Sequence, residues 1–426
     1  MDARVMPVKC NCPRSGMAHN SACPLSSRQT LTSSPLWASA FRPFYLLGAP
    51  YAPLLIAAWL GAYLGLWNLP DGDAPLKLQH GHEFIFGFAA AIIAGIVLTA
   101  LPSWAGTEEI RGGNLMLLVA LWLAGRIAFW ASPWLPPWLP PWLPPWLPAA
   151  IDCLLFPAMF AMLAPQLLRA ANRLYLLLLP ILAALFAANA AYHHGIATAD
   201  YAQAGTALRL AIYAIIVLYV LKGGVLAPIF TGNALREKGR GALPPCNTAL
   251  EIAATGAVLL LAALDLAAAP AAATGAAALA CAALHGWRCA RWQGWRVADV
   301  PLLLVMHLGF AWLLFAFALK AVAELTGLVP EAAWLHAFTV GSLGLMMLGL
   351  MTRVSLRHTG RPLAVPRAML VAYVLVFVAA LLRLAATVHG LGGAAIALSA
   401  FLWAAAFALY FVVFAKALVT PSLQRP

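Results

Sequence analysis

Long uninterrupted apolar segments occupy most of the chain and restrict the folds open to it. An α-helix rises about 1.5 Å per residue, so roughly 20 apolar residues cross the hydrocarbon core of a bilayer. Twelve such segments can be counted, at about 44–66, 83–104, 114–131, 147–168, 174–192, 205–230, 250–268, 271–286, 300–324, 331–352, 365–388 and 393–418. With 63% hydrophobic and 9% charged residues, a water-soluble fold is excluded. We predict an all-α fold, a polytopic membrane helical bundle of about 12 transmembrane helices, in which the short eighth segment could alternatively be half of a hairpin.

Basic residues are concentrated in every second loop. The alternate loops carry mainly acidic residues, namely Asp71, Asp73, Asp200 and Glu331. Because loops rich in Lys and Arg stay on the cytoplasmic side of a membrane, both termini are predicted to be cytoplasmic. The formal net charge of +12 then follows from topology. Nucleic acid is therefore not an expected partner.

The predicted bundle forms a single transmembrane domain, residues 41–420, after a leader of residues 1–40. The leader lacks the apolar core of a signal peptide, and we predict it to be disordered and cytoplasmic. Its Cys and His residues offer the alternative of a small metal site: Cys10, Cys12, His19 and Cys23. Residues 133–148 hold four copies of Pro-Trp-Leu-Pro, which exclude an α-helix and predict a stiff surface spacer.

Three histidines stand near the predicted outer ends of two apolar segments, where a titratable residue is costly and indicates function. His80 and His82 open the second segment and His336 opens the tenth, so all three lie within about 10 Å of the outer boundary. Residues 80 and 82 are about 200° apart on a helix and face different pockets. The face of His80 continues through Glu83 and Gly87. This small-residue face favours His80 as the ligand of a flat ring cofactor, and His82 as its neighbour or as a ligand of a second metal.

The tenth segment continues from its histidine through three glycines, at positions 341, 344 and 349. Glycines let a bulky, flat group approach a helix closely. We therefore interpret this segment as a cofactor-binding helix.

A second set of candidate ligands lies deeper in the bundle, toward the predicted cytoplasmic side. His307 belongs to the ninth segment, and Met347 and Met351 belong to the tenth, with Met347 on the same α-helical face as His336. An imidazole with thioethers suits copper(I). The alternative is that His307 bonds a backbone carbonyl and that the methionines fill gaps in the core.

Basic residues end the tenth segment. Arg353, His358 and Arg361 are candidates to bind anionic cofactor groups or lipid phosphates, and a plain positive-inside loop is the alternative. Arg383 lies near the outer side, where it either holds an anionic group or extends to the interface. The other histidines are expected to be solvated at the interface or to interact with a helix dipole: His193, His194, His389 and His285.

With these residues placed, the chain resembles the NnrS family from about residue 40 to residue 418. The resemblance is carried by Phe41–Phe44, by His80–Glu83, by His307–Phe310 and by the long stretch His336–Pro362. It implies a bacterial inner-membrane protein with twelve spans, with haem b and copper as cofactors, that acts in the response to nitric oxide and nitrosative stress.

The chain departs from the family pattern in the sixth segment. Val225 and Gly232 stand at or near positions where arginines are expected. Arg236 and Lys222 are the candidate substitutes for any anion site there.

The resemblance and the histidines together support one main functional hypothesis. Because a haem iron with an open position binds nitric oxide, we expect a haem–copper membrane protein that binds or turns over this ligand. Glu83 is the candidate catalytic residue, as a carrier of protons from the outer surface. A non-enzymatic carrier or sensor of haem or copper, and a secondary transporter, are the alternatives. The expected partners are nitric oxide or a related small ligand, membrane lipid and an unidentified electron donor.

Overall fold

The computed structural model describes residues 34–67, 75–132, 144 and 146–424. Over these ranges the chain is helical and has no strand. Eleven of the described helices are long and apolar enough to cross a membrane, and a further helix, Ala271–Trp292, has 22 residues. The prediction of an all-α, multi-pass membrane bundle is thereby confirmed. The leader cysteines and most of the Pro-Trp-Leu-Pro repeat lie outside the described residues, as do Asp71 and Asp73.

Twelve long helices, numbered here in chain order, make up most of the described chain. Their bounds are α1 Phe41–Tyr63, α2 Leu76–Ala105, α3 Gly112–Ala131, α4 Leu147–Arg169, α5 Arg173–Ala197, α6 Tyr201–Glu237, α7 Thr248–Leu266, α8 Ala271–Trp292, α9 Pro301–Thr326, α10 Ala332–His358, α11 Arg367–His389 and α12 Gly393–Val419. Helix α8 runs past its predicted end and is about 33 Å long, close to the thickness of a bilayer core. Helix α6 has 37 residues and is about 55 Å long, so it extends beyond the bilayer core.

The start of α1 and the end of α12 lie at the same end of the bundle. The buried guanidinium of Arg42, at the start of α1, donates to the carbonyl oxygens of Ala417 (3.2 Å) and Leu418 (2.8 Å) at the end of α12. An even number of crossings requires this arrangement. We call this the terminal end of the bundle, and we call the opposite end, where His80 and His336 lie, the histidine end.

Helices α2 and α10 are the most buried of the candidate spans. In the most apolar stretch of α2, 83% of the residues are buried, and in that of α10, 67%. The corresponding value is only 33% for α3, α4, α5 and α7. The two helices that carry the predicted ligands His80, His82 and His336 therefore lie in the interior of the bundle.

Both of these helices change geometry directly after their histidines. A π-helical segment, Glu83–Ala89, follows His82, and a second one, Ala337–Leu343, follows His336. Such segments hold extra residues, are rare, and occur frequently at functional sites. Each extra residue rotates the following side chains by about 100° relative to an unbroken α-helix. The prediction that Met347 shares a face with His336 assumed an unbroken α-helix and is therefore wrong.

The glycines of α10 are in contact with protein side chains. A Cβ atom on Gly341 would come within 2.6 Å of the indole of Trp312, and one on Gly349 within 2.7 Å of Val305, both on α9. Small residues let membrane helices approach closely. The flat group that Gly341 accommodates is thus the Trp312 ring, which corrects the interpretation of these glycines as a cofactor surface.

Candidate functional site

His80 lies in an aromatic pocket between α1 and α2. Its imidazole packs on Trp59, with ring centroids 4.2 Å apart, and on Phe84 at 4.7 Å. The Nδ1 atom of His80 is buried and has no hydrogen-bond partner in the part of the chain that the structure describes. A buried ring nitrogen of this kind is unusual, since buried polar atoms are nearly always paired.

His336 reaches the same pocket from α10. The Arg383 guanidinium on α11 donates to Nε2 of His336 at 2.9 Å, so this nitrogen carries no proton. Arg383 also lies over the ring of Trp59, 5.9 Å from its centroid. Trp59 therefore lies against both His80 and Arg383. We call Trp59, His80, His336 and Arg383 the His80–His336 site.

His82 faces away from this pocket and is fully buried. Its ring stacks between Phe129, at 4.6 Å and an angle of 7°, and Tyr192, at 4.3 Å. Its Nδ1 atom lies 3.0 Å from Oε1 of Glu83. The predicted opposite orientation of His80 and His82 is confirmed by these contacts.

The buried Arg126 on α3 links two carboxylates beside His82. It donates to Oε1 of Glu83 through one nitrogen and to Oδ1 of Asp152, on α4, through the other. Tyr51 donates to Oε2 of Glu83 and accepts from Trp130 at 2.9 Å. Glu83 therefore lies on the side of His82 and has no exposed surface. The prediction that Glu83 lies on the face of His80 is therefore wrong, because Arg126 holds its carboxylate on the side of His82.

Three side chains contact the second carboxylate oxygen of Asp152. Oδ2 lies 3.1 Å from Nε2 of His82, 2.8 Å from Nε2 of His193 and 3.0 Å from Nδ2 of Asn189. One ligand atom each from His82, Asp152 and His193 lie within 4.8 Å of one another, close enough to hold a metal ion. We call His82, Glu83, Arg126, Asp152, Asn189 and His193 the His82 site.

His193 and His285 have surroundings that differ from those predicted. His193 was expected to be solvated, but its side chain is only 16% exposed and bonds Asp152. His285 was expected at a helix end, but it is fully buried within α8 and lies 3.1 Å from the carbonyl oxygen of Ala254. In both cases a partner on another helix, which sequence spacing does not reveal, determines the environment.

The remaining predicted ligands lie toward the terminal end. Nε2 of His307 lies 2.9 Å from the hydroxyl of Thr231, and the Arg353 guanidinium lies 3.7 Å from the centroid of Phe230. The ring of His358 lies 5.7 Å from that of Phe41. Met347 and Met351 are buried within α10. The backbone N–H of Arg361, just beyond α10, donates to the carbonyl oxygen of Leu356.

The structure thus separates the predicted ligands along the length of α10. Residues 336 and 353 are about 25 Å apart along the helix. His80, His82, Glu83 and His336 belong to the histidine end, so the basic residues at the terminal end do not join them. Copper ligation by the deeper residues stays a prediction.

A guanidinium from α8 fills the region where the expected arginines are absent. Arg288 packs so closely on Gly224 that a Cβ atom there would overlap it. It donates to the carbonyl oxygen of Val220 at 3.0 Å and, through Nε, to Glu251 at 3.0 Å. Because Glu251 balances its charge, Arg288 does not by itself make an anion site. The suggested substitute Lys222 instead lies over the ring of Tyr175, at 3.8 Å.

A second buried ionic network lies at the histidine end. The Nζ atom of Lys320, on α9, donates to Asp265 at 2.6 Å and to Glu324 at 2.7 Å. Tyr213 donates to the other oxygen of Asp265 at 2.9 Å. Lys320 is 1% exposed and was missed in the sequence, although a lysine inside an apolar segment is itself a signal that a partner is needed.

Comparison with known proteins gives one family match. A protein-family model described as NnrS protein matches residues 35–422, a range that includes all twelve helices and both histidine sites. No curated protein matches the chain.

Proposed function

The chain belongs to the NnrS family, with the role in the nitric oxide response that this membership supports, and we propose that it acts there as a haem protein of the bacterial inner membrane. In this proposal the His80–His336 site holds the haem and nitric oxide binds at its iron. Haem supplies an iron with an open position for a diatomic ligand, and the polarity of the pocket sets its reactivity.

The unpartnered Nδ1 atom of His80 is the observation that carries the proposal. A buried imidazole nitrogen without a partner has a substantial desolvation cost, which coordination to a metal offsets. The aromatic walls from Trp59 and Phe84 suit a large planar ring. The residues present therefore fit a haem, which His80 would ligate.

Arg383 has two roles in this proposal. It donates to Nε2 of His336 and would keep this second imidazole from ligating a haem, so that the iron would be able to bind nitric oxide. A guanidinium has five N–H donors, so Arg383 retains others for a carboxylate such as a haem propionate.

Copper remains a proposed second cofactor, with His307, Met347 and Met351 among its candidate ligands. Glu83 remains the proposed proton carrier if nitric oxide is turned over. Its full burial and its bonds from Arg126 and Tyr51 favour the second candidate function, a non-enzymatic haem sensor or carrier.

The test is an optical spectrum of the detergent-solubilised, full-length protein, oxidised and reduced, with and without nitric oxide. We expect a Soret band that shifts with nitric oxide and is lost in His80→Ala. The control is His389→Ala, at the exposed end of α11, which should keep the wild-type spectrum. Absence of haem from protein expressed with ample iron, or an unchanged Soret band in His80→Ala, would overturn the proposal.

A further inference from the structure

We propose that the His82 site binds a single divalent transition-metal ion through His82, Asp152 and His193. The ligand atoms are Nε2 of each histidine and Oδ2 of the aspartate. This inference goes beyond the haem proposed above and does not rest on it, because the two sites share no residue.

The first step is the position of the proton on His82. Glu83 accepts hydrogen bonds from Arg126 and Tyr51, so its carboxylate is an acceptor. Nδ1 of His82 lies 3.0 Å from Oε1 of this carboxylate. A carboxylate oxygen binds a ring nitrogen in this way only when the nitrogen carries a proton. In the neutral imidazole, Nε2 therefore has a free lone pair.

The second step is what this lone pair faces. Nε2 of His82 lies 2.8 Å from Oδ1 of Asn189 and 3.1 Å from Oδ2 of Asp152. The orientation of the Asn189 amide is set by its nitrogen, which donates to Asp152 Oδ2 at 3.0 Å and to the Asp152 carbonyl oxygen at 3.3 Å. Three acceptor atoms thus point at one another, and a cation is required among them. That cation is either a metal ion or a second proton on His82.

The third step compares the metal ion with the proton by the side chains that each would bring together. Nε2 of His193 also points at Oδ2 of Asp152, at 2.8 Å. If His82 carries a second proton, His193 needs its own proton on Nε2 to bond Asp152, whereas one metal ion uses both imidazoles and the carboxylate together. Two imidazoles and one carboxylate form a ligand set typical of divalent zinc, iron and copper. The convergence of three ligand atoms within 4.8 Å favours the metal ion.

The surrounding residues hold these ligands as the outer shell of a metal site does. Metal-binding histidines usually donate their other ring N–H to a carboxylate, which is what His82 does with Glu83. Arg126 occupies Oδ1 of Asp152 and leaves Oδ2 for the ion. Phe129 and Tyr192 fix the plane of the His82 ring by stacking on its two sides.

The charge of the site also requires a cation. Glu83 and Asp152 carry two negative charges, and Arg126 balances only one of them. An uncompensated buried charge is strongly destabilising. Either a divalent ion or a second proton on His82 supplies the missing positive charge, so the choice between them rests on the converging ligand atoms. The partly exposed side chain of His193 gives an ion a route to the site.

The experiment uses the full-length protein, stripped with a chelator and titrated with Cu²⁺ and, separately, Zn²⁺ as probes. The leader cysteines are replaced in all samples by Cys10→Ser, Cys12→Ser and Cys23→Ser, so that they do not compete. Apart from any copper held by His307, Met347 and Met351, we expect one equivalent of Cu²⁺ whose electron paramagnetic resonance spectrum shows nitrogen coupling. His193→Ala should remove one nitrogen from this coupling and weaken binding at least about tenfold, as loss of a ligand or of its support does.

Two further variants keep the test decisive. Asp152→Asn should weaken binding similarly, and the matched control His194→Ala, whose side chain is exposed and lies beside Gln203, should leave it unchanged. If both His193→Ala and Asp152→Asn, eluting as monodisperse protein, bind Cu²⁺ as wild type does, the site is elsewhere. If no stoichiometric ion binds to the wild type, a proton holds the cluster and the proposal fails. The Soret band, which His193→Ala should not alter, reports separately on the haem.

Discussion

His80 and His82, two residues apart on α2, point into two different sites. The His80 ring packs on Trp59 from α1, whereas the His82 ring stacks on Phe129 from α3 and Tyr192 from α5. The backbone of one short helical turn therefore supports both a site with an unpartnered nitrogen and a buried ionic cluster. A displacement of this turn, which precedes the π-helical segment Glu83–Ala89, would change both sites together.

Arg383→Ala should change how a haem is ligated in the His80–His336 site. Without the guanidinium, Nε2 of His336 is free to bind metal. We expect a six-coordinate, low-spin absorption spectrum and an association rate for nitric oxide at least about tenfold lower, because the second imidazole must leave first. Stopped-flow absorption measures this rate. Arg367→Ala, at the exposed start of the same helix, serves as the control, and an unchanged spectrum in Arg383→Ala would show that His336 is not in reach of the iron.

Lys320→Met should destabilise the protein by about 3–5 kcal/mol, the usual cost of removing one partner of a buried ion pair. Asp265 would lose its cationic partner in a nearly buried position. Adding Asp265→Asn to this variant should recover part of the loss, because it removes the unpaired charge. The midpoint of unfolding in a denaturing-detergent titration measures both changes. Lys77→Met, on an exposed residue, is the control; equal midpoints for all variants would contradict the prediction.

Gly341→Ala should destabilise the bundle by about 1–3 kcal/mol, the range for an overpacked methyl group. The new Cβ atom would come within 2.6 Å of the Trp312 ring and force α9 and α10 apart. Gly256→Ala is the matched control, since a Cβ atom there meets nothing within 4 Å. The same unfolding titration should give a lower midpoint for Gly341→Ala only, and a wild-type midpoint would indicate that Trp312 moves aside.

Asp299 gives the fold a predictable dependence on pH. Hydrogen bonds from Arg240 and Lys238 hold the pKa of Asp299 well below its usual range. The bonds therefore contribute their full stabilisation above the unfolded pKa of about 3.9, and the contribution is lost as pH falls through the lower folded pKa. The difference in thermal midpoint between wild type and Asp299→Asn should be small and constant from about pH 5 to pH 8, and should narrow only below about pH 4.

The control for this titration is Glu109→Gln, which alters an exposed carboxyl in another loop. Its midpoint should follow that of the wild type at each pH. A difference between wild type and Asp299→Asn that already disappears between pH 5 and pH 7 would contradict the lowered pKa.

The number of membrane crossings and the different directions of His80 and His82 could be predicted, because both depend on local geometry. Bilayer thickness determines how long an apolar segment must be. An even number of crossings brings the start of α1 and the end of α12 to one side, where Arg42 bonds Leu418. The turn of about 100° per residue was enough to separate His80 from His82.

The composition of the His82 site could not be predicted, because it depends on how helices pack. Its ligands come from α2, α4 and α5, and sequence spacing does not say that these helices meet. Arg126 was the available signal, since an arginine within an apolar segment requires an acidic partner. The π-helical segments left no visible pattern in the sequence, and for that reason the face assigned to Met347 was wrong.

The bonds of Arg42 impose an order on biosynthesis. Its partner Ala417 lies 375 residues later in the chain and is therefore synthesised long after Arg42. Helix α12 packs on α1, so α1 receives this neighbour only when α12 is inserted. A nascent or truncated chain that stops before residue 417 exposes an unbonded guanidinium and an open flank of α1.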